Sequence, residues 1–164
     1  MSEAFEVRPA EESDRRALAE LFAAVAEERD GIAAEPPVDV DRAVAGWDVE
    51  RTFVAEAAGE IAGTLYVIES GFGFGEIAMM VAAGRRGVGI GTALLAAAIE
   101  WARGRGLHKL TLSVFPHNEA AIALYEQFGF RQEGYRRGHY RRGREYVDAI
   151  LMAYEVGSGG SGPS

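Results

Sequence analysis

There is no cysteine among the 164 residues, so the chain can form neither a disulfide nor a cysteine nucleophile. Histidine is scarce, and His108, His117 and His139 fall at spacings that match no recognisable metal-ligand pattern. No apolar run approaches the roughly 20 residues needed to span a bilayer, so no membrane partner is expected. Positive charge is also in deficit. The formal net charge is −8 at pH 7, which argues against nucleic acid as a partner, because that binding needs a basic footprint. The segment Met1–Glu6 is acidic and lacks the basic start and apolar stretch of a signal peptide. A metal-free cytoplasmic protein is the expectation.

The remaining composition is that of an ordinary globular protein, with 48% hydrophobic and 26% charged residues. The length suits one domain with a real core. We expect that domain over residues 1–156, followed by a flexible Gly/Ser-rich tail over 157–164. Phe5–Arg8 alternates as a first strand. Ser13 is placed to cap a helix whose apolar stripe is Leu18, Leu21, Phe22 and Val25. Ile32–Val40 contains Pro36-Pro37 and cannot be one helix, while Asp41–Val49 can form a short second one. Thr52–Glu56, Gly59 and Ile61–Glu69 read as a hairpin. A loop over Gly71–Gly75 then leads into a strand at Ile77–Val81.

The most informative stretch is Arg86-Gly87-Val88-Gly89-Ile90-Gly91-Thr92. It follows that strand and opens into a helix over Ala93–Arg105, with Leu94, Leu95, Ala98, Ile99 and Ala102 on one face. The first N–H groups of a helix have no internal partner and sit at the positive end of its dipole. A strand, a glycine turn and a helix N-terminus therefore make an anion site. Glycine lets the backbone approach the bound group without Cβ interference. No lysine follows these glycines, which disfavours a nucleotide P-loop. Their spacing, Gly87-x-Gly89-x-Gly91, is also not the Gly-x-Gly-x-x-Gly of dinucleotide sites.

Beyond the turn come a strand over Lys109–Phe115 and a helix over Asn118–Phe130, then two strands, around Arg131–Tyr140 and Tyr146–Tyr154. Arg86-x-x-Gly89-x-Gly91 after a strand resembles the acyl-CoA loop of the GCN5-related N-acetyltransferases, the GNAT family. Asn118 through Phe130, one strand later, resembles that family's second signature. Glu133-Gly134 and Gly143 through Asp148 followed by Met152 resemble a bacterial subgroup of L-amino-acid, ribosomal-protein and polyamine acetyltransferases.

The resemblance implies an α/β (α+β) fold with one mixed, mostly antiparallel seven-stranded sheet and helices on both faces. Its fourth and fifth strands would be parallel and splay apart at one end. It implies acetyl-CoA as co-substrate, with no metal. Backbone groups of Met79, Met80 and Val81 would hold the pantetheine, together with Asn118. Arg86, Gly87, Val88, Gly89, Ile90, Gly91 and Thr92 would hold the pyrophosphate. Asn118 also suits a helix cap, and Arg85 is a further local cation.

Tyr125 would protonate the departing thiolate. Its ordinary pKa near 10 exceeds the thiol's 8.5 or so, so positioning rather than proton affinity must drive the step. Some relatives carry a glutamate on the fifth strand where this chain has Ser113. Glu76, acting through water, is the expected base, with Glu69 behind it. At pH 7 an α-amine is about a tenth neutral, whereas a lysine-like amine is neutral only a few times in ~10⁴. A site without a strong base therefore favours an α-amine.

The expected reaction is direct transfer in a ternary complex to a small amine, most plainly a free L-amino acid. A protein N-terminus or a polyamine is the alternative acceptor, and a catalytically silent acyl-CoA-binding module the alternative class. The acidic surface suits a cationic amine or serves solubility alone. Family members often pair, so a homodimer is allowed. The Arg136–Arg144 run reads as a hairpin face and turn, with His139 and Tyr140 near the acceptor, and Trp47 and Trp101 as packing residues.

Overall fold

The computed structural model describes residues 4–157. The Gly/Ser-rich tail therefore lies, after Gly157, outside the described residues. Seven strands form one sheet in the order β1-β2-β3-β4-β5-β7-β6. They are β1 (Glu6–Pro9), β2 (Thr52–Ala57), β3 (Glu60–Glu69), β4 (Phe74–Val81), β5 (Lys109–Val114), β6 (Arg131–Arg142) and β7 (Glu145–Glu155). The helices are α1 (Arg15–Glu27), α2 (Val40–Gly46), α3 (Ile90–Arg105) and α4 (Glu119–Phe128). Most neighbours are antiparallel. The exception is β4 with β5, which run parallel with Phe74, Gly75 and Glu76 opposite Lys109, Leu110 and Thr111. Past Thr111, β5 continues against β7 through Val114 opposite Ile150.

The chain forms two compact units. Among the described residues, one runs through Tyr66 and includes Met79–Ala97, and the other comprises Val67–Ala78 and those from Ala98 on. In the first unit, Leu21 and Val25 of α1 and Met80 of β4 form a buried cluster with Phe22, Ile32, Trp47 and Ile61 around it. The expected α1 stripe is thus the face that packs. Trp47 is a packing residue as expected, edge-on to both Phe22 and Tyr66, and its indole N–H donates to Thr52 Oγ1 at 3.2 Å. The β2–β3 hairpin turns through Ala58 and Gly59, both at positive φ, the backbone of the tight turn that matches strand twist.

Three expectations about the elements need correction. Ser13 does not cap α1. A 3-10 turn over Glu12–Asp14 precedes the helix, and Asp14 is the residue that organises it. Its carboxylate accepts the Glu11 N–H at 2.7 Å and takes two bonds from the Arg8 guanidinium, at 2.8 and 3.0 Å. A carboxylate outcompetes a serine hydroxyl here because its bonds are charge-assisted. The second correction is that β4 starts at Phe74, not Ile77. A Cβ on Gly75 would lie 2.7 Å from Val67 Cγ1, so that glycine marks close packing within a strand, not a loop. The third is that α3 begins at Ile90, three residues before the expected start.

Asp14 is buried, and the Arg8 guanidinium holds its carboxyl below the usual carboxylate range, against the opposing effect of burial. A carboxyl whose folded pKa is depressed stabilises the fold above its unfolded pKa and loses that contribution as pH falls through the folded value. Asp14→Asn should therefore cost about 2 kcal/mol near pH 7. In urea titrations the deficit should shrink towards pH 3, below the unfolded carboxyl pKa of about 3.9. A deficit equal at both pH values would show that charge is not what Asp14 contributes.

Candidate functional site

The loop after β4 is built from the first unit alone. Gly84, Gly87 and Gly89 adopt φ of +82°, +79° and +95°, a region that L side chains rarely enter. A Cβ at Gly87 or Gly89 would meet nothing within 4 Å. Internal packing therefore does not demand glycine at these two positions. The backbone conformation does, and it leaves their faces open to a ligand.

The first helical bond of α3 runs from the Ala93 N–H to the Gly89 carbonyl at 3.1 Å. The N–H groups of Gly89, Ile90, Gly91 and Thr92 are therefore the four that a helix leaves without an internal partner. Of the glycines assigned to the turn, Gly91 belongs to the first helical turn and is not at positive φ. Ile90 is itself buried, at 2% exposed, so it can offer a ligand its backbone N–H but no side-chain contact. Val88 and Thr92 have exposed side chains. Four oriented donors at the positive end of a 16-residue helix suit a pyrophosphate, so the residues present fit the expected donor.

The two arginines are not spare charges. Arg86 donates to both carboxylate oxygens of Glu28, at 2.7 and 2.9 Å. Its Nε donates to the Val81 carbonyl at 2.9 Å. Glu28 holds the guanidinium pKa above its ordinary value. Arg86 is thus a clasp that ties the end of β4 to the C-terminal end of α1. One lone pair of Val81, expected to serve the pantetheine, is used by this clasp, which leaves that carbonyl its second. Arg85 lies 3.5 Å from Glu60. Met79 and Val81 are half-buried and Met80 is buried, with the Met80 side chain in the α1 cluster. Only the backbone of Met80 remains for a ligand.

Two residues that matter here escaped the sequence reading. Glu28 is one, and at 58 positions from Arg86 nothing local announces the pair. Gly63 is the other. It sits inside β3, where a Cβ would come 2.9 Å from Ile90 Cγ2, 3.2 Å from the Met80 carbonyl and 3.5 Å from Leu94 Cδ1. An isolated glycine in a strand is a known sign of close backbone approach, and that signal was available.

The second unit carries the other assigned residues. Asn118 caps α4, its side-chain oxygen accepting the Ala121 N–H at 3.4 Å, as expected. This leaves the amide NH₂ as a donor. Tyr125 is 7% exposed and packs against Phe130 at 5.7 Å between ring centroids. Burial pushes its phenol up to about 12. Gly129, at φ +102°, ends the helix, and the Phe130 N–H returns to the Tyr125 carbonyl at 3.0 Å, which fixes the backbone that carries the phenol. Glu76 is exposed on β4 opposite Thr111. Ser113 is half-buried opposite Leu151. Glu69 is bound by Arg105 at 2.7 Å, which removes it as a free base. Among the described residues no group of three or more His, Cys, Asp or Glu is gathered as for a metal, and no helix is long and apolar enough to cross a membrane.

The chain thus combines a mixed sheet with one parallel pair and a glycine loop that feeds the N-terminus of a long helix. The family model described as "Acetyltransferase (GNAT) family" matches residues 16–130. The chain belongs to that family. It is similar to the crystal structure of a ribosomal-protein-alanine N-acetyltransferase from Brucella melitensis, with 30% identity and a TM-score of 0.83, over 92% of this chain and 99% of that one. It shares its fold with a Salmonella typhimurium acetyltransferase solved with acetyl-CoA, with 22% identity and a TM-score of 0.84, over 96% and 97% of the two chains. Among curated proteins it is 34% identical over 107 residues to an L-methionine sulfoximine/L-methionine sulfone acetyltransferase of Pseudomonas aeruginosa. That match covers 58% of this chain and 62% of the relative, so the chain spans less than two thirds of the curated relative's length.

Gly63→Ala tests how the loop is positioned. Its Cβ must displace Ile90 or β4 backbone, at a cost of about 1–3 kcal/mol. Because Ile90 anchors the first turn of α3, CoA affinity measured by calorimetry should fall as well. Destabilisation with unchanged CoA affinity would separate Gly63 from the site.

Proposed function

We infer that the protein transfers an acetyl group from acetyl-CoA to the amine of a small free amino acid. The observation that carries the donor is the first turn of α3, whose four N–H groups have no helical partner and which follows Gly87 and Gly89 at positive φ. When bound, acetyl-CoA supplies a thioester activated towards an amine. Gly89–Thr92 would hold its pyrophosphate through backbone N–H groups, and Arg86 would work indirectly by fixing the loop. Backbone groups of Met79, Met80 and Val81 would hold the pantetheine.

Tyr125 keeps its proton at neutral pH, because burial holds its phenol up to about 12. That widens the gap to a thiol of about 8.5. Complete proton transfer from this phenol is uphill, so its role is to donate a hydrogen bond as negative charge gathers on the leaving sulfur. The proton that the thiol finally keeps comes from the acceptor nitrogen, which must lose one in any case. Glu76 in its exposed position relays the acceptor's first proton to water. No strong base is needed if the acceptor is an α-amine, a useful fraction of which is already neutral near pH 7.

The similarity to the methionine sulfone acetyltransferase and the serine at 113 support a free amino acid. The likeness to the Brucella melitensis enzyme, extending over most of both chains, favours a protein N-terminus as the second reading. Assaying CoA release with amino acids, N-terminal peptides and polyamines distinguishes these acceptors. Tight CoA binding without turnover of any amine would make the chain a binding module instead.

Two variants test the machinery. Gly89→Glu places a like charge at the pyrophosphate and should weaken CoA binding by at least about 100-fold, ~2.7 kcal/mol. Retained affinity in calorimetry would remove the loop from the site. Tyr125→Phe should lower kcat by about 10- to 100-fold with the KM for acetyl-CoA unchanged. An unaltered kcat would leave the phenol a packing residue.

A further inference from the structure

The end of β5 carries a side-chain cluster that the donor machinery does not use. Phe115 is buried just beyond the strand. Tyr140 meets its ring edge-on at 5.6 Å, His117 stacks on it at 5.5 Å with 19° between the planes, and the Arg142 guanidinium lies over it at 5.5 Å. Arg142 is half-buried. Several arginines are matched with carboxylates, among them Arg8, Arg15, Arg51, Arg86 and Arg105. Among the described residues Arg142 has no such partner. Glu145, across the hairpin in register, forms no ion pair with it.

The placement is built into the backbone. The β6–β7 register shifts between Arg136 and Tyr140. Asp148 pins this irregularity by accepting the Gly138 N–H at 2.6 Å and the Tyr135 hydroxyl at 2.5 Å. A bulge of this kind re-aims the residues that follow it. Tyr140 and Arg142, two positions apart on one strand, share a face and both reach Phe115. The Phe115 carbonyl in turn accepts the Asn118 N–H at 3.0 Å, which joins the cluster to the residue assigned to the pantetheine.

A guanidinium over an aromatic ring is held in place and partly desolvated, yet its N–H groups still point outward in their own plane. That fork matches a carboxylate with two parallel bonds. We propose that Arg142, seated on Phe115, binds the α-carboxylate of the acceptor. It would thereby select free amino acids over peptide N-termini, whose corresponding group is a neutral amide. The proposal deepens the amino-acid reading above and rests on it. An arginine that serves only as a solvated turn charge has no need of the ring beneath it. A phosphate of the donor is the competing ligand, and CoA affinity tells the two apart.

The test uses the full chain with acetyl-CoA and two acceptors, L-methionine sulfone and its carboxamide, which differ only in the group Arg142 would read. The parent should prefer the acid. Arg142→Met keeps the length and apolar stem, and should raise KM for the acid about 10- to 100-fold with kcat nearly unchanged and the amide unaffected. Arg142→Lys should restore part of the preference, since it supplies a charge without the fork. By calorimetry, N-acetyl-methionine sulfone should bind Arg142→Met correspondingly more weakly, while CoA binds as to the parent. An unchanged acid-to-amide ratio in Arg142→Met overturns the assignment, and so does a tenfold loss of CoA affinity. A parent that acetylates acid and amide equally well overturns this proposal alone. A parent that acetylates neither overturns the amino-acid reading and this proposal with it.

Discussion

A Cβ on Gly63 would stand 2.9 Å from Ile90 Cγ2, closer than real Cβ atoms approach, and 3.2 Å from the Met80 carbonyl, tighter than most such contacts, and the placement of the loop before α3 depends on that space. Ile90 is both the first residue of α3 and a buried anchor. Where it packs decides where the four unpaired N–H groups of the helix point. The glycines at 87 and 89 then solve a different problem. They turn the chain from the end of β4 into that fixed helix start through backbone angles that other residues avoid. Close packing at Gly63 and conformational freedom at Gly87 and Gly89 are separate uses of the same residue type.

A chain of net charge −8 that holds a polyanion needs local positive potential, and the obvious arginines do not supply it freely. Arg86 is matched with Glu28. Because its Nε also holds the Val81 carbonyl, the pair contributes geometry more than field. On the proposed reading the attraction falls to the dipole and open N–H groups of α3, whose first turn carries no acidic residue and which need no reorganisation on binding. The pair is also partly exposed, so its own contribution to stability is modest and sensitive to salt.

The sequence made the loop and the element order legible, because glycine spacing and apolar periodicity are local signals. Leu94, Leu95, Ala98, Ile99 and Ala102 are all buried, as their spacing on one helical face requires. Asn118 caps its helix because a short polar side chain before an apolar helical stretch has little else to do. The errors came where a tertiary partner overrode a local preference. Ser13 is a good cap in isolation, but Arg8, brought alongside by β1, makes Asp14 the organising acid. The glycines from 71 to 75 look like a loop, yet Gly75 is a strand residue because β4 passes close to Val67 and Leu107. Glu28 with Arg86, and Arg142 on Phe115, join residues far apart in the chain, and no periodicity encodes such pairs. The Tyr125 pKa was invisible for the same reason, since it depends on what covers the ring.

Charge is distributed in a way that bears on the acceptor. Between 131 and 144 stand six arginines and one glutamate, in a chain that is otherwise strongly acidic. On the proposed reading the acceptor is a zwitterion, and both signs have work to do. The acidic surface would raise the local concentration of ammonium groups, while the arginine over Phe115 would orient the carboxylate. This division also eases the demand for a base. A carboxylate held by a fixed guanidinium orients the adjacent α-nitrogen, and that nitrogen needs to lose its proton from a pKa near 8 rather than 10.4 or so. At pH 7 the difference is more than two orders of magnitude in the neutral fraction, comparable to what a general base contributes. On that reading an exposed Glu76 and a half-buried Ser113 would be sufficient company for Tyr125, because reading the carboxylate would select the class of amine that the chain can use without a stronger base.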